Sequence, residues 1–240
     1  MIKAVLFDLG KTLCVQDVKS MIFKKAIVKE VSDFLQEQGY KVSPLKFSLA
    51  SFLVYQRLRT QAKKTGRESK AAELIGIVLA DLGIPRPDLA GQVVDVFYEM
   101  ILPMITPFPG VPDTLAALKK AGYKIGLVSN GIYSTEFVRA VLRQMEVLDY
   151  FDTVIVSSDF GLRKPRPEIF LAACRVLAAA PEETAFIGDS VKKDILGAKQ
   201  VGMLAILFDP KNAKKRASLA DHAIREISEV EKLLPACLAG

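Results

Sequence analysis

Four apolar segments of the sequence are each followed by polar side chains of types that can do chemistry. These side chains are Asp8 after the first segment, Ser129 and Asn130 after the second, Lys164 in the loop after the third, and Asp189 with Asp194 after the fourth. In a parallel sheet the carboxyl ends of the strands meet at one edge, where ligands bind. Each residue alone fits a cap or a turn, but their joint occurrence predicts a functional site.

The composition limits the chemistry of that site. The chain of 240 residues contains one histidine, His222. A two-histidine metal site is therefore excluded, and a triad of nucleophile, histidine and aspartate requires His222 itself. We expect carboxylates and lysines to do the catalytic work, and His222 to lie in a loop or at the surface.

The elements that must position these residues follow from the pattern of apolar residues. The predicted strands cover residues 2–7, 123–128, 153–156, 184–187 and 204–208, and the predicted helices between them cover residues 111–121, 134–147, 167–180 and 191–201. Strands that alternate with helices of this length favour an α/β fold with a doubly wound parallel sheet.

The alternation is interrupted after the first strand. From residue 17 to about residue 102 the sequence predicts four helices and no strand, with Ser43 and Pro44 at one helix start and Gly66 at its end. We therefore expect an α/β core domain of residues 1–14 and 106–240. The inserted helical cap domain spans residues 15–105 and is placed to cover the site.

The net charge bears on possible partners. It is +6, with a pI of about 9.1, but basic and acidic residues are spread over the whole chain. The basic cluster of Lys211, Lys214, Lys215 and Arg216 is typical of a solvated loop. We therefore expect a small phosphorylated or anionic substrate, no nucleic-acid partner, and a monomer or homodimer.

Cysteine content and apolar runs bear on the compartment. The three cysteines are far apart, which favours neither a disulfide framework nor a zinc site. No apolar run reaches the roughly 18 residues of a membrane-spanning helix, and residues 1–9 predict a strand rather than a signal peptide. The sequence thus predicts a cytoplasmic protein without a membrane partner.

The polar residues and their surroundings resemble the four motifs of the haloacid dehalogenase-like hydrolases, a superfamily made up mainly of phosphatases. The matching segments are Asp8-Leu9-Gly10-Lys11-Thr12-Leu13, Pro109-Gly110-Val111 with Val128-Ser129-Asn130, residues 161–170 around Lys164-Pro165, and Gly188-Asp189-Ser190 with Asp194. The resemblance covers the whole chain. It implies the Rossmann-like core of this superfamily with a helical cap inserted after the first strand.

The resemblance also implies a role for each residue. Asp8 is the nucleophile, Ser129 donates a hydrogen bond to the phosphoryl group, and Lys164 supplies a fixed positive charge. The implied Mg²⁺ ligands are Asp8, Asp189 and the backbone carbonyl of Gly10, with Asp194 supporting the ion or Lys164. The implied substrate-binding residues are Lys11, Thr12, Asn130 and Gly131.

Gly10 departs from the phosphatase pattern. Phosphatases of this family carry an aspartate at this position, which protonates the leaving oxygen and then activates water. Glycine keeps the carbonyl ligand but lacks the acid and base, so hydrolysis of alkyl phosphates should be slow by a factor of about 10²–10⁴.

Two alternatives stay open beside a Mg²⁺-dependent phosphohydrolase. The first is a 2-haloacid dehalogenase in which Asp8 attacks carbon without a metal, because that branch also lacks the second aspartate and also shows Ser-Asn-Gly after its second strand. The acidic pair Asp189 and Asp194 departs from that branch. The second alternative is a non-catalytic relative that binds a phosphorylated ligand.

Overall fold

The computed structural model describes residues 1–16, 21–211 and 218–234. The strands in these ranges are β1 (Ala4–Phe7), β2 (Cys14–Gln16), β3 (Ile105–Pro107), β4 (Lys124–Ser129), β5 (Thr153–Val156), β6 (Thr184–Gly188), β7 (Leu204–Phe208) and β8 (His222–Ile224). The α-helices are α1 (Met21–Glu37), α2 (Pro44–Thr65), α3 (Ala71–Asp81), α4 (Leu89–Ile101), α5 (Val111–Lys120), α6 (Thr135–Gln144), α7 (Ser157–Phe160), α8 (Pro167–Leu177), α9 (Leu196–Gln200) and α10 (Val230–Leu233).

A parallel sheet forms the centre of the molecule. Its order across the described residues is β5-β4-β1-β6-β7-β8, and every neighbouring pair is parallel. Successive residues of β1 face opposite sides: Val5 and Phe7 pack in the core that includes α5 and α6, and Ala4 and Leu6 in the core that includes α8 and α9. The predicted α/β fold with helices on both faces is therefore confirmed.

The chain between β1 and α5 leaves the sheet. An antiparallel ribbon of β2 and β3 pairs Cys14 with Pro107, and beyond it α1–α4 pack around a separate apolar core. We call α1–α4, residues 21–101, the helical unit. The ribbon is stabilised by a backbone hydrogen bond from Phe108 N to the Leu13 carbonyl at 2.9 Å.

Local signals explain where α2 begins and ends. Ser43 Oγ accepts a hydrogen bond from Lys46 N at 3.3 Å, and Pro44 occupies the first turn. At the other end Gly66 has a φ of 74°, which favours glycine because it has no Cβ. Both predicted boundaries of this helix are confirmed.

Several predicted boundaries are wrong in detail. The predicted helix over residues 167–180 ends at Leu177, where Ala178 turns left-handed with φ of 50°. The predicted helix over residues 191–201 begins as a π-helical turn, Val191–Ile195. Strands β2, β3 and β8 were not predicted, because three residues are too few to show a period.

Three smaller expectations concern the surface. His222 is exposed, as expected, although it begins a strand. Lys211 is exposed, while Lys214, Lys215 and Arg216 lie outside the described residues. Among the helices of the described ranges, none combines the length and the apolar character needed to cross a bilayer.

Candidate active site

The central strand and its two neighbours build the polar edge of the sheet. Phe7, the last residue of β1, pairs with Leu127 of β4 and with Ile187 of β6. Asp8 follows and donates its backbone N–H to the Ile187 carbonyl at 2.9 Å. The polar residues that follow β1 and β6, and Ser129 at the end of β4, therefore meet at one edge.

Lys164 joins this edge from the loop between α7 and α8 and is 1% exposed. Its Nζ donates to Asp8 Oδ1 at 2.7 Å and to the Val128 carbonyl at 2.7 Å. It also lies 2.8 Å from Asp194 Oδ1. One buried ammonium is thus paired with two carboxylates, which offsets the cost of burying these charges.

Burial and charge act in opposite directions on this pair. Burial raises the pKa of Asp8 to about 6, although the Lys164 ammonium opposes the shift. Burial alone lowers the pKa of Lys164, but the carboxylates of Asp194 and Asp8 outweigh it, so the pKa rises. Lys164 therefore stays protonated at neutral pH and is a fixed positive charge beside Asp8.

Asn130 holds the backbone that carries the lysine. Its Oδ1 accepts the Lys164 N–H at 2.8 Å, and its Nδ2 donates to the Lys164 carbonyl at 2.9 Å. The sequence predicts a substrate contact for Asn130, whereas both ends of its amide are engaged by Lys164. Asn130 thus positions the backbone of Lys164, and its predicted contact with substrate stays a prediction.

Two other residues that were predicted to bind substrate have polar groups engaged within the protein. Thr12 is fully buried, and its Oγ1 donates to Asp8 Oδ2 at 3.3 Å. The Gly131 N–H donates to Ser157 Oγ at 3.0 Å. Thr12 thus orients the carboxylate of Asp8. Lys11, by contrast, is exposed.

Three carboxylates converge at the sheet edge. Asp8, Asp189 and Asp194 each offer an oxygen that lies within 4.8 Å of the other two. Burial and the Asp194 carboxylate raise the pKa of Asp189, while Lys193 and Lys11 oppose the shift. A group of carboxylate oxygens this close together suits a hard divalent cation such as Mg²⁺.

The position of Asp194 depends on a glycine. A Cβ at Gly188 would lie 2.6 Å from both Cβ and Cγ of Asp194, so any side chain there would displace the carboxylate. The Ser190 N–H donates to Asp194 Oδ2 at 2.9 Å. The Gly-Asp-Ser motif therefore holds Asp194, which is fully buried, against Lys164.

Gly10 differs from Gly188 because its surroundings are open. A Cβ added at Gly10 meets no heavy atom of the described residues within 4 Å, and its φ lies outside the left-handed range that favours glycine. A Cβ therefore has room at this position. Neither space nor backbone conformation requires the glycine.

The loop between α2 and α3 lies against the polar edge. Arg163 N donates to the Gly66 carbonyl at 3.0 Å, and Glu68 N donates to the Gly161 carbonyl at 3.2 Å. The Glu68 side chain accepts from Ser157 Oγ at 3.2 Å and lies 3.4 Å from Arg163 Nη1. Sequence analysis did not find Glu68, because a single glutamate in a polar loop carries no signal of a distant partner.

A cavity of 530 Å³ lies between the helical unit and the sheet edge. Asn130, Arg163 and Lys193 line it on the sheet side, and Glu68 lines it from the loop between α2 and α3. Burial raises the pKa of Glu68, whereas Arg163 and Lys193 oppose the shift. Asn130, Arg163 and Lys193 are the chain neighbours of Ser129, Lys164 and Asp194, so the cavity lies next to the polar edge, although the three carboxylates do not line it themselves.

Comparisons with known proteins bear on these features. A family model described as haloacid dehalogenase-like hydrolase matches residues 2–202. A glyceraldehyde 3-phosphate phosphatase of Methanopyrus kandleri is 29% identical over 207 residues, 86% of this chain and 83% of the relative. A ribulose-1,5-bisphosphate 5-phosphatase of Halopiger xanaduensis is 30% identical over 236 residues, 94% of this chain and 92% of the relative.

A solved structure extends the comparison to the other activity. The crystal structure of a 2-haloacid dehalogenase from Pseudomonas syringae pv. tomato matches with a TM-score of 0.72 and 27% identity, over 97% of this chain and 98% of that one. Phosphatases and a dehalogenase thus align over most of the chain, so similarity alone does not choose between them. With the family model matching residues 2–202, this chain belongs to the haloacid dehalogenase-like hydrolases.

Proposed function

We propose that the protein is a Mg²⁺-dependent phosphohydrolase of a small phosphorylated molecule, with an aspartyl-phosphate at Asp8 and the helical unit as its cap. The observation that carries this proposal is the convergence of Asp8, Asp189 and Asp194 within 4.8 Å. Three carboxylates this close together offer a divalent cation the hard oxygen ligands that Mg²⁺ prefers.

Asp8, Asp189 and the backbone carbonyl of Gly10 would hold the ion, with Asp194 supporting them. When bound, Mg²⁺ neutralises charge on the phosphoryl group and so lowers the repulsion between anions. Because Lys164 takes up part of the negative charge of Asp8 and Asp194, it adds to the same effect.

The protein residues carry the covalent steps. A carboxylate oxygen of Asp8 attacks phosphorus, the bond from phosphorus to the leaving oxygen breaks, and that oxygen keeps the electron pair. Lys164 and Thr12 each bind one oxygen of Asp8 and so fix the rotation of the carboxylate. Water then attacks phosphorus, which releases phosphate and restores the carboxylate.

Gly10 limits which leaving groups depart easily. With no acid at this position, an alkoxide leaving group gains no proton as it departs. Acyl and aryl phosphates release a more stable anion and need less help. We therefore expect rapid turnover of acetyl phosphate and slow turnover of simple alkyl phosphates.

The second candidate is metal-free dehalogenation through attack of Asp8 on carbon. Gly10 and the similarity to a 2-haloacid dehalogenase favour it. The acidic residues beside the nucleophile count against it, because the Asp194 and Asp189 carboxylates raise the pKa of Asp8, and a bound cation would offset that repulsion.

One set of assays distinguishes the two candidate functions. We expect hydrolysis of acetyl phosphate and p-nitrophenyl phosphate that requires Mg²⁺ and is lost in Asp8→Asn. The matched control is Asp113→Asn, the same change at an exposed carboxylate in the first turn of α5, which should keep full activity.

Other results would overturn the proposal. Metal-independent release of chloride from 2-chloropropionate, with no phosphatase activity, would establish the dehalogenase. Binding of phosphate without turnover of either substrate class would establish a non-catalytic relative.

A further inference from the structure

The wall of the cavity differs sharply between its two sides. On the sheet side lie the charged residues Arg163 and Lys193, and Glu68 of the loop between α2 and α3 lies against Arg163. On the side of the helical unit the wall is largely apolar. The apolar wall residues include Val28, Val31, Leu74, Ile75, Val93 and Phe97.

Apolar side chains outnumber hydrogen-bonding ones on the helical-unit side of this space. Tyr98 lines the cavity, but its hydroxyl accepts the Ser134 N–H at 3.0 Å and its ring stacks on Phe137 at 4.0 Å between centroids. Ser48, Ser51 and Tyr55 are the polar positions that α2 contributes besides Arg59. A bound molecule thus meets mostly hydrocarbon beyond the charged end.

The size of the cavity matters as well as its chemistry. A volume of 530 Å³ lies within the range of about 300–1,000 Å³ that is usual for small-molecule sites. A phosphoryl group at the sheet edge therefore leaves room for an organic body against the helical unit. A polyhydroxylated body would regain the hydrogen bonds that it loses with water only where its hydroxyls meet polar side chains such as Ser48, Ser51 and Tyr55, whereas an apolar body fits the rest of the wall.

We propose that this cavity receives the organic body of the substrate and that this body is mainly apolar, aromatic or branched aliphatic, rather than polyhydroxylated. The inference rests on the proposed phosphohydrolase function and names its substrate class. It separates this chain from relatives whose names specify sugar phosphates. Arg163 and Lys193 supply the positive end of the cavity, and the apolar wall selects the body.

Binding of non-hydrolysable phosphonates tests the inference independently of turnover. We would measure dissociation constants by calorimetry with Mg²⁺ for 3-phenylpropylphosphonate and for 3,4-dihydroxybutylphosphonate, which carry the same head group. We expect at least about tenfold tighter binding of the phenyl compound, because apolar contacts discriminate by about this factor or more. Equal binding, tighter binding of the diol, or no binding of either compound would overturn the inference.

Two isoleucines of α3 provide a matched pair of variants. Ile75 and Ile77 are both partly buried and both pack on the core of the helical unit, but only Ile75 is among the residues lining the cavity. We expect Ile75→Ser to reduce the preference for the phenyl compound about tenfold, and Ile77→Ser to leave it unchanged. Equal effects of the two changes would contradict the assignment of the wall.

Acetyl phosphate hydrolysis, measured in parallel, keeps the two proposals apart. Turnover of acetyl phosphate with no preference between the phosphonates would refute the substrate class and leave the phosphohydrolase standing. A clear preference without any turnover would support the cavity as the site for an apolar body and would refute the hydrolytic function.

Discussion

The two sides of the site are built in opposite ways. At the sheet edge the buried charged groups hold one another: Lys164 contacts Asp8, Asp194 and the Val128 carbonyl, and Asn130 binds its peptide group. On the side of the helical unit the wall is mostly hydrocarbon. The reacting groups are thus fixed by charge pairs, whereas the organic body meets a surface that only shape and burial define.

This difference predicts where amino-acid substitutions are tolerated. Removal of one member of a buried charge network strongly lowers the free energy of unfolding, because the remaining charges stay buried without a partner. Substitution of a residue in an apolar wall removes only the packing contacts of that one side chain. We therefore expect reaction type to be tied to the sheet edge and substrate choice to the helical unit, and three experiments test this contrast.

The largest effect is expected from Lys164→Met. The change leaves the carboxylates of Asp8 and Asp194 buried without their cation, which should lower the free energy of unfolding by about 3–5 kcal/mol. Turnover of acetyl phosphate should fall by at least about 10²–10³, as when one stabilising donor is lost. Urea denaturation and steady-state kinetics measure the two effects.

The matched control is Lys192→Met, which removes an exposed lysine from the same edge. It should change neither quantity beyond experimental error. If Lys164→Met were as stable and active as the parent protein, the contrast between the two sides of the site would be lost.

The next effect is a gain of activity in Gly10→Asp. Position 10 has room for the side chain, and the new carboxyl supplies the missing acid and base. We expect kcat/KM for an alkyl phosphate such as glycerol 3-phosphate to rise by about 10²–10⁴. The gain for acetyl phosphate should be much smaller, because acetate leaves without a proton.

Gly10→Asn is the control for Gly10→Asp, since it has nearly the same size but no ionisable group. It should show no gain for the alkyl phosphate. Equal activity of the two variants would mean that position 10 does not reach the leaving oxygen.

The smallest effect concerns the contact between the two sides. Glu68 and Arg163 form a partly buried pair, with side chains 7% and 17% exposed. A double-mutant cycle with Glu68→Gln and Arg163→Met should give a coupling energy of about 1 kcal/mol in urea denaturation. The more exposed pair of Lys70, from the same loop as Glu68, and Asp159 of α7 should show a smaller coupling. A larger coupling energy for the exposed pair would contradict the view that Glu68 and Arg163 form the stronger contact between the two sides of the site.

The sequence predicts the strands and helices of the core more completely than it predicts the contacts of individual side chains. The alternation of strands and helices places Asp8, Ser129 and Asp189 at one edge, because the carboxyl ends of parallel strands lie at the same edge of a sheet. The partners of Asn130, Thr12 and Gly131 depend on loops that fold back on each other. Glu68 meets Arg163 across a separation of 95 residues, so no local pattern predicts it.

The central claim is that Asp8 forms a covalent bond to phosphorus, and mass spectrometry tests it directly. The protein would be mixed with acetyl phosphate and Mg²⁺, quenched in acid, and digested. We predict a phosphoryl adduct on the peptide that contains Asp8, absent without Mg²⁺ and absent in Asp8→Asn. Rapid hydrolysis without this adduct, or an adduct at another residue, would contradict the account.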